Sequence, residues 1–178
     1  MSDNKDFYAE AKKQMRLSER ILAAIPGFRG YKEKELRRES DKLVRNHLHL
    51  KLSKSKDDLK AIFQKFSDRR YFDVITDMDR LVAKVDRITE KINHASYGYA
   101  GFFDVIKVKE ENLDRMIDFD TKLVGEVEDL STDVAAFKTE VWQGENKNAK
   151  ERIQTITGKV EAFEETFDKR GEIILGVR

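Results

Sequence analysis

Any chemistry in this chain would have to come from a small set of side chains. Glu90 and His94 stand four apart, a spacing that puts a carboxylate and an imidazole on one face of a helix. His47 falls on the apolar stripe of an earlier helix, so a mixed carboxylate and imidazole metal site can be drawn from these residues. Di-iron bundles need a Glu-x-x-His motif on each of two helices and two further glutamates. That set is missing, so His47, His49 and His94 read as surface or partly buried helix residues, and no metal ligand is assigned. Asp77 and Asp79 flank Met78 inside a predicted helix, where their carboxylates diverge rather than converge on one cation. The chain has no cysteine, which excludes disulfides, thiolate nucleophiles and thiolate metal sites. Pro26-Gly27-Phe28-Arg29-Gly30 holds two glycines without the Lys-Ser/Thr of a phosphate-binding loop. No nucleophile and base pair or dinucleotide fingerprint stands out either, so the expectation is a non-enzyme without a cofactor.

Two features instead suggest contact surfaces, and a third bears on helix register. Lys34, Arg38, Lys42 and Arg45 step by four, four and three, which holds four cations on one side of a helix. Such a row could follow phosphates or an acidic partner, although Glu35, Glu39 and Asp41 beside it also fit a salt-bridged, solvated face. Two turns combine glycine with aromatics: Phe28, Arg29 and Tyr31 in one, and Tyr97, Tyr99, Phe102 and Phe103 in the other. These rings could plug a bundle end or anchor a partner. The third feature is Asp120, a carboxylate in an otherwise apolar stripe. A polar residue there either reaches solvent or is paired inside, where it can set helix register.

The elements that must position these residues are helices. Apolar positions alternate by four and three through Val74, Met78, Leu81, Val85, Ile88, Ile92 and Ala95. The same rhythm runs through Leu113, Met116, Asp120, Leu123, Val127, Leu130, Val134, Phe137 and Val141, and again through Ala149, Ile153, Ile156, Val160, Phe163 and Phe167. Earlier, Leu36, Ser40, Leu43, His47 and Leu50 keep it, broadened by Val44, Leu48 and Leu52. Pro26 with Gly27 and Gly30, Gly98 with Gly101, and Gly144 mark turns. Ser55 and Asp58 have the spacing of a capping box, which places a break near 53–57. The predicted helices are therefore 4–25, 31–53, 56–69, 73–95, 103–142 and 147–169. They make an all-α, elongated, antiparallel up-down bundle with coiled-coil-like heptad seams over residues 1–178. A loosely packed N-terminal hairpin (4–53) and a docking tail (171–178) complete the expectation.

Charge is nearly balanced overall but not along the chain. Residues 1–71 carry 19 Lys/Arg against 11 Asp/Glu, and residues 72–178 carry 16 against 23. The halves can attract each other, within one molecule or between copies, as readily as a foreign polyanion. The opening, Met1–Phe7, lacks the build of a signal peptide, and no apolar run is long enough for a membrane span, so a cytoplasmic location is expected. The functional expectation is a helical interaction or scaffold protein with a protein partner, able to self-associate. The alternative is a polyanion binder acting on RNA, DNA or an anionic membrane surface, and a metal-binding bundle comes third.

Overall fold

The computed structural model describes residues 19, 21–28, 34–95 and 110–175, with only the backbone described at 34–38, 110–114 and 173–175. Among these residues the chain is all-α. Four long helices, α1 (Lys34–Asp68), α2 (Phe72–His94), α3 (Glu110–Gln143) and α4 (Ala149–Leu175), pack as a bundle, preceded by a helical segment at 21–24. At about 1.5 Å per residue, α1 and α3 are each roughly 50 Å long.

Each helix is held by its apolar stripe. Every residue of the α2 seam from Val74 to Ile92 is buried, as are those of α3 from Met116 to Val141 and of α4 from Ala149 to Phe167. Burial of each large side chain contributes about 1.5–3 kcal/mol, so the shared interior, rather than helix propensity, holds these helices in place. Ile21, Ile25 and Phe28 join the same core. The turn between them has Gly27 at φ +86°, with Leu43 close by.

Two helix ends are built alike. At the end of α3, the Glu145 N–H donates to the Glu140 carbonyl (2.9 Å) and the Gly144 N–H to that of Val141 (3.3 Å). At the end of α1, the Tyr71 N–H donates to Phe66 (3.0 Å) and the Arg70 N–H to Ser67 (3.0 Å). Both are Schellman motifs, whose turning residue must take a left-handed conformation. Gly144 does so at φ +85°, whereas on α1 an arginine, Arg70, does so at φ +60°. The apolar contact that accompanies such motifs is supplied by Phe66 and Tyr71, with ring centroids 5.7 Å apart.

Side-chain pairs give the direction of each helix. Along α3 and α4, Glu140 meets Arg152, Asp133 meets Lys159 and Glu126 meets Thr166. Each step of seven residues on one helix matches seven in the opposite sense on the other, so the two run antiparallel. On α2 and α4, Lys84 meets Glu161, Arg87 meets Glu164 and Lys91 meets Asp168, rising together, so these neighbours run parallel. Between α1 and α3, Ser55 meets Ser131 and Asp58 meets Lys138, again in parallel. Chain direction thus alternates from helix to helix, yet the neighbours around the bundle are α1, α2, α4 and α3 in cyclic order. The fold is two antiparallel hairpins, α1/α2 and α3/α4, docked side by side. The starts of α1 and α3 share one end of the bundle with the finishes of α2 and α4. The turns at 69–71 and 144–148 share the other.

Three expectations are corrected. There is no break at 53–57: α1 is continuous, and Ser55 is a buried mid-helix residue whose hydroxyl lies 3.0 Å from that of Ser131 on α3. Continuity fixes the phase of the stripe, which runs through Asp41, Val44, Leu48, Leu52, Ser55, Leu59, Ile62 and Phe66. Leu43 and His47 are only half-buried, and Leu50 is exposed at 68%. Residues 34–53 are therefore a core strut rather than part of a loose hairpin, while residues 1–18 lie outside those described. At the other terminus Gly171 is buried and α4 runs on to Leu175, while residues 176–178 lie outside those described.

Continuity of α1 is testable. Proline in a helix interior costs about 3 kcal/mol or more. Ser55→Pro should lower the unfolding free energy in urea by at least that amount, where a break at this position would leave it almost unchanged.

Candidate interaction surfaces

Among the described residues the largest fully buried side chain is Arg170 on α4, 1% exposed. A guanidinium has five donors in a fixed plane and is tolerated inside only where carboxylates meet it. Its Nε donates to Asp120 Oδ1 on α3, and its Nη2 donates to Asp41 Oδ1 on α1 (2.7 Å). Asp41 in turn accepts from Arg45 Nε (2.8 Å). Two cations and two carboxylates therefore alternate along a buried chain that ties α1, α3 and α4 together. Asp120 is fully buried and paired rather than solvent-reaching, and the sequence showed its place without its partner. Arg170 lies seven residues beyond Phe163 on the α4 stripe, and that spacing was the signal available for it.

The same pairing removes Arg45 from the basic row. Arg45 is 8% exposed and committed to Asp41, because the phase of α1 turns it inward. Lys42 is exposed, and Lys34 and Arg38 lie on the first turns of α1 with only their backbone described. Among the turn aromatics, Phe28 is buried, 2% exposed, and joins the core. Arg29, Tyr31, Tyr97, Tyr99, Phe102 and Phe103 lie outside the described residues.

The histidines stay apart. His94 Nε2 lies 3.4 Å from Glu90 on the exposed face of α2, while His47 is half-buried on α1 with Glu128 of α3 at 3.8 Å. Among the described residues no group of three or more His, Asp or Glu side chains could hold a metal ion. Burial lowers the His47 pKa, helped by Lys51 and opposed by Glu128. An open cleft of about 730 Å³ lies on the α3–α4 turn between Glu140, Glu145, Lys147 and Glu151. The Arg152 guanidinium in its wall makes a two-point contact with Glu140, Nε to Oε2 at 3.0 Å and Nη2 to Oε1 at 2.6 Å.

Exposed aromatics gather at the turn end, opposite the one singled out from the sequence. Phe72 is 72% exposed, Trp142 46% and Tyr71 42%. Lys65 Nζ sits 4.1 Å above the Trp142 ring and Lys138 Nζ at 5.6 Å. Tyr71 and Phe72 straddle the start of α2, and Trp142 closes α3, so the alternation that identifies core positions passes over all three. Ser67 to Asp73 are all exposed, which makes the α1–α2 turn a protruding tip.

Two predictions follow from the interior. Removing one partner of a buried ion pair costs about 3–5 kcal/mol, because the other charge is left uncompensated. Asp120→Leu should therefore destabilise by about that amount in chemical denaturation, and Asp120→Leu combined with Arg170→Met should recover a measurable part of the loss. For His47, a depressed pKa means that protonation favours the unfolded chain. Its share of the stability is complete above the ordinary imidazole value of 6.5 and is lost as the pH falls below it. His47→Gln should flatten that part of the stability curve, measured by urea midpoints between neutral and mildly acidic pH.

No protein-family model matches this chain, and neither a curated protein nor a solved structure matches it.

Proposed function

We propose that this chain is a non-enzymatic helical scaffold that offers the turn end of its bundle to a macromolecular partner. The observation that carries the reading is the joint exposure of Phe72, Tyr71 and Trp142 at one end of a well-packed rod. Tryptophan, tyrosine and arginine are the residues that dominate binding energy at interfaces, and here Arg69 and Arg70 adjoin the rings. Long helices buried along their whole seams hold such an end in a fixed geometry, which lowers the ordering cost of binding. The broken basic row shifts the emphasis away from the side of α1, since Arg45 is spent on Asp41.

Charge compensation inside the bundle supports the same emphasis. The basic α1 and the acidic α3 are neighbours, with Lys51 near Glu128 and Lys138 on Asp58. The α2/α4 ladder likewise pairs Lys84, Arg87 and Lys91 with carboxylates. Across the two halves of the chain, Lys51 lies near Glu128 and Lys56 pairs with Asp86, which leaves fewer cations of the basic half for a polyanion along the sides.

The test is affinity purification after crosslinking in native cells, with nuclease and detergent arms to separate partner classes. Phe72→Ser and Trp142→Ala should keep the helical circular dichroism of the wild type and lose the crosslinked partner. If both variants recover what the wild type recovers, the turn end is not the contact surface.

A further inference from the structure

The α1–α2 tip has a property that packing does not explain. Arg70 occupies the turning position of a Schellman motif at φ +60°, while the neighbouring motif on α3 uses Gly144 for the same geometry at φ +85°. A side chain in this conformation is strained, because its Cβ crowds the backbone. An arginine that is exposed and bears that strain gives the fold nothing a glycine would not give better. Strained residues of this kind cluster where the side chain itself has work to do.

The surroundings indicate what work. Among the described residues Lys65, Arg69 and Arg70 make no salt bridge, while Lys138 is taken by Asp58. Of the carboxylates in the same stretch, Asp68 is held by the Gln64 amide (2.8 Å). Asp73 lies in the first turn of α2, where the helix N–H groups offset its charge. Arg69 and Arg70, free of salt bridges, thus adjoin Tyr71 and Phe72, and at the same end Lys65 sits over the Trp142 ring. The tip is exposed throughout, from Ser67 to Asp73, and among the described residues two open clefts lie outside it, on the α3–α4 turn and between α2 and α4. An exposed tip of Arg, Tyr and Phe suits a soft layer that needs no fitted pocket. The headgroup region of an anionic bilayer is such a layer: it takes amphipathic rings at its depth and gathers Lys and Arg at its phosphates.

We infer that Arg69, Arg70, Tyr71 and Phe72 form a membrane-contact tip, which inserts Phe72 among the headgroups of an anionic phospholipid bilayer while Lys65, Arg69 and Arg70 engage lipid phosphates. This rests on the turn end being the contact surface and names its partner. The single bulky ring and few cations make the contact weak and reversible for one copy, and sensitive to ionic strength.

The chain carries its own reporter, because Trp142 is the only tryptophan and lies at this end beside Lys65. Full-length protein is titrated with phosphatidylcholine vesicles with and without phosphatidylserine, at low and high salt, while Trp142 emission and co-flotation are followed. Phosphatidylserine vesicles should shift the emission to the blue and carry the protein upward, and salt should reverse both. Phe72→Ser should weaken binding about tenfold, the scale of one lost apolar anchor. Arg70→Gly should unfold at equal or higher urea than wild type yet bind more weakly, which separates loss of contact from loss of fold. An unmoved emission with no flotation at low salt overturns the inference, as does undiminished binding by Phe72→Ser or a lower urea midpoint for Arg70→Gly. If vesicles fail but a protein partner is still lost on Phe72→Ser, the lipid inference falls and the turn-end reading stands. If Phe72→Ser and Trp142→Ala both match wild type in both assays, both fall.

Discussion

The bundle depends on an arginine that cannot be where it is alone. Arg170 is buried, and removing a guanidinium from water costs several kcal/mol unless carboxylates replace the hydration. Asp120 from α3 and Asp41 from α1 do so, and Arg45 balances the second carboxylate. Apolar stripes alone would let one long helix slide along another by a heptad at modest cost, since every seam repeats with nearly the same period. A sliding α4 would carry Arg170 away from both carboxylates. The ion pairs that follow, Glu140 with Arg152 and Asp133 with Lys159, are each worth little at a surface. They record a register that the interior sets, and that register brings the turns at 69–71 and 144–148 to the same end.

Much of this is legible in the sequence. The seams of α2, α3 and α4 follow from the alternation of three and four, because a buried helix face leaves that pattern whatever its partner is. The oddity of Asp120 was equally visible, although its partner lies 50 residues away and has no local signature. The stripe of α1 was misplaced for a physical reason. Ser55 looked like a cap, and the supposed break discarded the phase that Leu59, Ile62 and Phe66 impose on Leu52, Leu48 and Val44. With that phase Arg45 faces inward, and without it Arg45 joins Lys42 on a basic face.

The surface at the turn end was less legible, and again the reason is local. Glycine draws attention to turns, so the aromatics beside Gly27, Gly30, Gly98 and Gly101 stood out, whereas the α1–α2 turn has no glycine. Its left-handed position is filled by Arg70, and nothing in an arginine announces a positive φ. Trp142 stands two residues before Gly144, and nothing in that spacing marks it as exposed. Exposure of an aromatic depends on which way the helix is rotated about its axis, and only the packed bundle settles that rotation.

The cyclic order of the helices bears on how the chain assembles. Within each hairpin the contacts join segments close in sequence, and loop closure of that kind is fast. The pairs that dock one hairpin on the other, such as Lys84 with Glu161 and Ser55 with Ser131, span more than seventy residues. Two quickly formed halves with apolar inner faces would therefore meet in a slower step. A half that met its counterpart from another molecule would find the same complementary seam, which makes exchange of hairpins between copies the natural misassembly of this architecture.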